Sequence, residues 1–598
     1  MKALVTIFSM LIGVSLIVNP GDVRAGKGQV IFADTVYHNG KVLTVDQKFS
    51  IHSAFAVRGT TIMAVGSDKD MLDLAGARTV RFDLKGRTVI PGFIDTHNHL
   101  FDYAVRNWRK DLEKLEPQMR AYRRIKLKVK SIADAAKKIK AVVAKKKPGL
   151  FVRVRLRPIR IAEEFGDSMT IKDLDALAPN NPLVVRLRGT RRVANTATFK
   201  LFSDHYGVMP PEFVDAKGRL VGGIGSGDMR ILVAEILVKK SSSLAAIYHK
   251  EMQAWAAHGV TTFSTSLPTV KGLAAFRMLD EAGKMAIRFA YGHRMGVTAN
   301  PHAPGFYARL GDLSGHGSDY IWFNGVAARG LDSSYPRMCS TVKAKAKIKK
   351  RERCYGREDS RLKMVFAAIK AGHRFTNTHV FGDRAVDYTL DLIEEASKAG
   401  GFGPAEIRSK RHGIDHCGMS PRPDQIERGK KLNVVWSCAP KYIDRAADMA
   451  EDYGYDAAHN LTVPIKAILN AGGRVVLEMD DRRIHGREGG AMRHLEWVVT
   501  RKDSNGQVWG KHQAISKRTA LELFTRLAAY YVLREDRLGS LETGKLADFV
   551  ILDKDYLAVS GDDLSTIKVL MTVVGGRTVY TEPKFAEAEG LAKVGLKR

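Results

Sequence analysis

Apolar positions fall into two rhythms along this chain. The first is alternating and short. Val30–Tyr37 opens a strand series, Asn39-Gly40 reads as a hairpin turn, and Lys41–Val45 reads as the return strand. Ala54–Val57, Arg58-Gly59 and Ile62–Gly66 repeat the pattern, so a small β domain is expected over 26–90. The second rhythm is helix, glycine, strand. Leu244–His258 is helical in period, Gly259 stops it, and Val260–Ser264 is a β-branched strand. Arg361–Ala371 places Met364, Val365, Ala368 and Ile369 on one face, Gly372 closes it, and a strand runs into Thr378-His379. Ala385–Lys398 is helical and stops at Gly400-Gly401. Recurrent αβ units of this kind predict a parallel sheet. The alternating rhythm returns at the C-terminus, with a turn and strand over Gly539–Asp553 and a hairpin over Val569–Tyr580.

Residues 103–232 interrupt the αβ series. Trp108–Lys147 reads as a Lys/Arg-rich amphipathic helical region and Leu150–Leu156 as an alternating strand. Leu174–Leu187 leads into another strand, and Val193–Thr198 follows. Arg153, Arg155, Arg191 and Arg192 of this insertion are candidates for contact with an anion. At the other extreme, residues 1–25 carry a secretory signal pattern. Lys2 precedes the apolar run Ala3–Val18, Asn19-Pro20-Gly21 breaks it, and Val23-Arg24-Ala25 offers a cleavage site. A periplasmic or secreted protein is therefore expected.

The chain has 598 residues, 45% hydrophobic and 27% charged, enough for a large core. Its formal net charge of +32 makes anionic partners the natural class: an anionic small-molecule substrate, or a polyanion meeting the basic surface. No specific nucleic-acid motif is present. Cys339, Cys354, Cys417 and Cys438 contain no Cys-x-x-Cys pair, which argues against a thiolate metal centre. In an exported protein Cys339 and Cys354 could close a loop as a disulfide. The densest basic run, Val342–Arg351, lies between them and reads as a solvated, mobile loop.

The chemistry begins at Val89–Leu100, an apolar strand ending in His97-Asn98-His99, whose two imidazoles share a face. The Pro-Gly-Phe-Ile-Asp in front of it resembles the first barrel strand of the amidohydrolase superfamily. Gly544–Asp553 resembles that superfamily's closing signature, and the insertion resembles that of its YtcJ-like branch, amidohydrolase family 3. The resemblance implies an α/β fold: a (β/α)8 TIM barrel over 91–536, covered by the insertion 103–232, with a β-sandwich built from both chain ends (26–90 and 537–585). It implies a homodimer. It also implies a metal site of His97, His99, His379, His416 and Asp480, each at a strand end. Imidazole and carboxylate suit Zn²⁺, and also Fe²⁺ or Mn²⁺. Asp480 would shuttle the proton and His379 or His416 would steady an oxyanion, for hydrolysis of an amide-type C–N bond.

The sequence departs from the family pattern at three places. Tyr320 is aligned where many relatives carry a metal-bridging Lys, and Asn324 where they carry an Asp, so one ion is expected rather than two. Glu478-Met479 replaces the Gly-Ser that usually precedes the family Asp. His293 offers a substitute ligand. Asp481, Arg482, Arg483 and His485 follow Asp480 on a candidate substrate loop. These departures also admit a second reading, a catalytically impaired scaffold that binds polyanions or the cell envelope through its basic surface.

Overall fold

The computed structural model describes residues 31–596 except 189–190, 211–212, 216, 295–305, 329 and 482–489. The expected signal at 1–25 and the residues Arg482, Arg483 and His485 therefore lie outside the described residues. No helix among the described residues is long and apolar enough to cross a membrane.

Two sheets face each other at one end of the molecule. One runs Thr61–Gly66, Ala54–Arg58, Thr35–His38, Val80–Asp83, and the other holds six strands. In the second, Phe549–Leu552 lies antiparallel to Thr88–Pro91, which brings the two chain ends into one sheet. Tyr37, Phe55 and Phe549 stack between the sheets with ring centroids 4.7–5.0 Å apart. The expected pairing across Asn39-Gly40 does not occur. Thr35–His38 and Lys41–Leu43 belong to different sheets. Asn39 takes φ 55°, and a Cβ at Gly40 would meet Leu84 at 2.4 Å. The dipeptide turns a corner between sheets instead of closing a hairpin. The hairpin over Val569–Val574 and Arg577–Thr581 does form, with Gly575 and Gly576 both at positive φ.

Eight parallel strands carry the rest: β1 (Phe93–Asp95), β2 (Val260–Leu267), β3 (Arg288–Arg294), β4 (Ile321–Ala327), β5 (His379–Gly382), β6 (Gly413–Met419), β7 (Val435–Cys438) and β8 (Arg474–Leu477). They form two four-stranded sheets, β4-β3-β2-β1 and β5-β6-β7-β8. A bridge from Val326 to Phe375 joins the sheets at β4 and the segment entering β5. At the other edge Asp480 N–H donates to the His97 carbonyl at 3.0 Å. These strands are buried on both faces, as parallel strands flanked by helices require, with polar residues such as Ser264, Asn324 and Asp415 among the buried positions. Arg288, at the start of β3, makes bidentate hydrogen bonds of 2.7 and 2.8 Å to Asp548, fixing these strands to the terminal sheets.

The insertion folds as its own α/β layer. Its sheet runs Arg192–Ala194, Leu183–Arg186, Val152–Arg157, Ile125–Lys128, parallel except for the first pair. The expected long helix over Trp108–Lys147 is broken into Arg109–Leu115, a 3₁₀ turn from Pro117, the strand Ile125–Lys128 and the helix Ile132–Val143. Pro117 fits only the first turn of a helix, so the amphipathic run cannot pass through it. Val193 lies in the short strand Arg192–Ala194, and Asn195 then caps the helix Thr196–Tyr206. Cys339 pairs with Cys354 and Cys417 with Cys438. The lysines of the basic run inside the first disulfide are exposed to solvent, as expected. The run forms the helix Ala346–Lys349 with Ile348 buried, and Arg361 stacks on Tyr355.

Candidate metal and catalytic centre

The five expected site residues gather where the C-terminal ends of these strands meet. His97 and His99 leave β1 with ring centroids 5.1 Å apart. His416 of β6 lies 4.8 Å from His97 and 4.3 Å from His379, the first residue of β5. Asp480 follows β8, its Oδ1 3.7 Å from His99 Nε2. His97, His99 and Asp480 offer ligand atoms that all lie within 4.8 Å of one another. The backbone bends to achieve this. His416, Cys417 and Asp480 take φ of 92°, 49° and 37°, conformations that non-glycine residues adopt at a cost.

Buried acids hold the imidazoles. His97 Nδ1 lies 2.8 Å from Asp415 Oδ2, and Tyr531 OH donates to Asp415 Oδ1 at 2.8 Å. His416 Nδ1 lies 2.6 Å from Glu478 Oε1, whose Oε2 accepts from Ser437 Oγ at 2.6 Å. In each case one ring nitrogen is engaged by a carboxylate, leaving Nε2 as the inward donor atom. Buried Nε2 of His97, Nδ1 of His99 and Nε2 of His379 have no hydrogen-bond partner among the described residues. Polar atoms buried in that way ordinarily find one.

The electrostatics fit a cation. Burial drives His99 and His379 well below the ordinary histidine range, helped by the positive field of Arg230 on His99 and by His416 on His379. Burial, with His97 alongside, takes His416 to about 3. His97 differs: burial would lower it, but the Asp415 carboxylate outweighs burial and lifts it to about 9. Asp480 is ionised despite its burial, because Lys441 and His99 hold it well below the usual carboxylate range. Lys441 Nζ sits 2.6 Å from Asp480 Oδ2, and Tyr103 OH donates to Oδ1 at 3.1 Å. The imidazoles of His99, His379 and His416 are neutral at pH 7, and a bound cation would displace the proton that Asp415 favours on His97; beside the Asp480 carboxylate they form a donor set suited to a divalent ion. The residues present therefore fit the metal that the fold implies.

Several sequence expectations need correction. Tyr320 stands before β4, at the opposite end from the histidines, with Arg288 lying 4.5 Å over its ring. It cannot occupy a bridging-lysine position. β4 ends in Val326 and Ala327, with Ala328 next, and none of these has a group to offer. His293 also lies outside the site. A Cβ at Gly292 would meet Asn377, placing Gly292 on the interior face and His293 on the other. Arg294 is the residue that turns inward, donating to Ser266 Oγ at 2.7 Å. Arg191 pairs with Asp167 on the exposed side of the insertion. Glu478, which departs from the family pattern, orients His416.

Lys441, Asp415, Tyr103, Arg230 and Arg294 were not singled out from the sequence. Asp415 alone carried a signal, since it stands next to His416 in the sequence. The others are brought in by tertiary packing.

An α/β sheet with histidines and an acid converging at its strand ends defines a metal-dependent hydrolase in outline. The comparisons carry this further. The family model described as "Amidohydrolase family" matches residues 81–580. An N-substituted formamide deformylase of Arthrobacter pascens is 24% identical over 579 residues, covering 92% of this chain and 98% of that protein. A Bacillus subtilis protein named as the amidohydrolase YtcJ is 22% identical, covering 91% and 99%. An uncharacterized metal-dependent hydrolase from Pyrococcus horikoshii superposes with a TM-score of 0.59 at 21% identity, covering 88% of this chain and 99% of that one. The chain belongs to the amidohydrolase family, hydrolases of carbon–nitrogen bonds other than peptide bonds.

Proposed function

We propose that this protein is an exported, single-metal amidohydrolase acting on an amide-type C–N bond of a small molecule, N-formyl or N-acyl compounds foremost. The observation that carries the reading is the set of buried imidazole nitrogens, His97 Nε2, His99 Nδ1 and His379 Nε2, that have no hydrogen-bond partner among the described residues and lie beside ionised Asp480, with Asp332 Oδ1 3.5 Å from His379 Nε2. His97, His99, His379, His416 and Asp480 would hold the ion, Zn²⁺ or else Fe²⁺ or Mn²⁺. Bound there, a divalent ion supplies Lewis acidity for the scissile carbonyl and a nucleophilic water at neutral pH.

The chain's own residues do the rest. Asp415 and Glu478 fix the two buried rings and their tautomers. Asp480 accepts the proton of the attacking water and passes it to the departing nitrogen. Lys441 and Tyr103 keep that carboxylate ionised and aimed. The two edge links between the four-stranded sheets support a closed eight-stranded barrel, with the strand ends as its catalytic mouth. Two disulfides support export, since such bonds persist in oxidising compartments.

The departures that had admitted an impaired scaffold lose their force once Tyr320 lies off the site and Glu478 serves His416. The test is a panel of N-formyl and N-acyl amines assayed with metal-loaded protein. Hydrolysis that disappears in Asp480→Asn supports the reading. No turnover of any member across Zn²⁺, Fe²⁺ and Mn²⁺ overturns it.

A further inference from the structure

The entry ends of β7 and β8 border a cavity of about 620 Å³. Val435 and Arg474, the first residues of these strands, both line it. The metal centre lies at the other end of the strands. Asp480 follows Arg474 along β8 by about 20 Å at the usual strand rise. The cavity is therefore separate from that centre, and its size is that of a small-molecule pocket.

Its walls are of two kinds. Leu469 and Leu527 supply apolar surface, while Arg408, Lys430, Lys431 and Arg474 set four cations against one acid, Glu427. All four cations are exposed. Nearby Lys410, Arg411 and Arg428 each pair with a carboxylate. The four cations of the cavity make no ion pair among the described residues. Lysines in the last turn of a helix ordinarily offset its dipole, and Lys430 and Lys431 end the helix Pro423–Leu432. Here the helix end is already satisfied. Arg408 Nη1 donates to the carbonyls of both lysines at 2.9 Å, and the Val434 N–H donates to that of Gly429 at 2.8 Å.

Asn433 holds the cluster together. Buried at the helix end with φ 56°, it donates through Nδ2 to the Arg408 carbonyl at 2.8 Å and to the Tyr530 hydroxyl at 2.9 Å. Its Oδ1 accepts from Arg474 Nε at 2.8 Å. The Arg474 guanidinium lies 4.4 Å over the Tyr530 ring, and both residues line the cavity. A Cβ at Gly472, on the same wall, would stand 3.6 Å from Lys430 Nζ. The ammonium and the guanidinium thus border one space from two sides.

We propose that this cavity is a second ligand site, for a small organic phosphate ester with an apolar body. Three cations not engaged in capping the helix, Lys430, Lys431 and Arg474, match a dianionic head. The wall of Leu469 and Leu527 takes the carbon part of the ester. Orthophosphate leaves that wall wet, and a neutral apolar molecule leaves the cations unmatched. The inference does not rest on the hydrolase reading.

The test titrates naphthyl phosphate into the full-length protein by calorimetry, beside orthophosphate and naphthol. The ester should bind at least about tenfold more tightly than either. Lys430→Gln and Arg474→Gln should each weaken it by about tenfold, the worth of one charge-assisted contact. Leu469→Glu should weaken it as much by placing a carboxylate in the wall. Lys343→Gln, which removes an exposed charge from the disulfide loop, should leave it unchanged, and so should treatment with EDTA. Lys430 and Arg474 are exposed, so their variants should keep the parent's circular dichroism. Undetectable ester binding, or unaltered affinity in both of these variants, overturns the site. So does orthophosphate or naphthol binding as tightly as the ester. Binding abolished by EDTA places the ester on a metal ion and overturns it as well.

Discussion

Replacing Glu478 tests how the site is oriented. Its carboxylate is fully buried, lies 2.6 Å from His416 Nδ1 and accepts from Ser437 at 2.6 Å. Glu478→Ala removes both contacts. Ser437 retains Thr96 Oγ1 at 2.7 Å, so the ring nitrogen of His416 is the group left alone. An unsatisfied buried polar group plus the cavity costs about 2–4 kcal/mol of fold stability. The freed ring also loses its preferred tautomer, and loss of such a partner lowers metal affinity by about 10–100-fold, or about 1.4–2.7 kcal/mol. Glu478→Gln keeps an acceptor oxygen in place and should stay within a few-fold of the parent. Metal affinity is read by competition with a chromophoric chelator, and stability by urea denaturation of the metal-free protein. If Glu478→Ala binds metal as tightly as the parent, the orienting role is wrong. A loss in Glu478→Gln equal to that in Glu478→Ala would refute the acceptor argument.

Other consequences are as direct. Asp480→Asn should lower kcat by about 10²–10⁴-fold, the usual worth of a positioned proton acceptor, with folding intact by circular dichroism. His412, buried and accepting the Phe375 N–H at 3.0 Å, is pushed down to about 3. Unfolded, it titrates near 6.5, so the unfolded chain binds the extra proton first. Its stability contribution is full above about pH 6.5 and falls as pH drops toward 3, by about 2 kcal/mol at pH 5. His412→Asn should remove that share of the acid sensitivity in denaturation curves taken from pH 7 to pH 5. Arg288→Ala should cost about 3–5 kcal/mol by stranding the buried Asp548 carboxylate, whereas a paired replacement of both by apolar residues should cost far less. Cys417→Ser/Cys438→Ser opens a loop of separation 21 beside His416. It should cost about 2–4 kcal/mol in thermal denaturation under non-reducing conditions.

Several strands, and their parallel arrangement, were legible where hydrophobic period and glycine stops agreed. Gly259 before Val260 is one case, and Gly575-Gly576 in the C-terminal hairpin is another. Asn39-Gly40 misled because the same positive-φ chemistry serves a hairpin or a corner, and only Leu84 packing against Gly40 decides between them. The histidines and Asp480 were legible because each sits in or beside a short apolar strand: His97 and Asp480 just beyond β1 and β8, His379 at the start of β5 and His416 within β6. Their supporting groups were not, since nothing local ties Lys441 to Asp480 or Glu478 to His416. Tyr320 was misplaced for a related reason: aligning a motif by spacing ignores the bulge at Gly292/Gly325 that shifts β4 against β3.

The account turns on the imidazoles gripping a cation. Protein purified without chelators, dialysed and measured by plasma mass spectrometry is expected to hold about one divalent ion per chain. His97→Ala should retain far less than the parent while its circular dichroism is unchanged. A folded parent protein that holds no ion, and takes up none on incubation with Zn²⁺, Fe²⁺ or Mn²⁺, would contradict it.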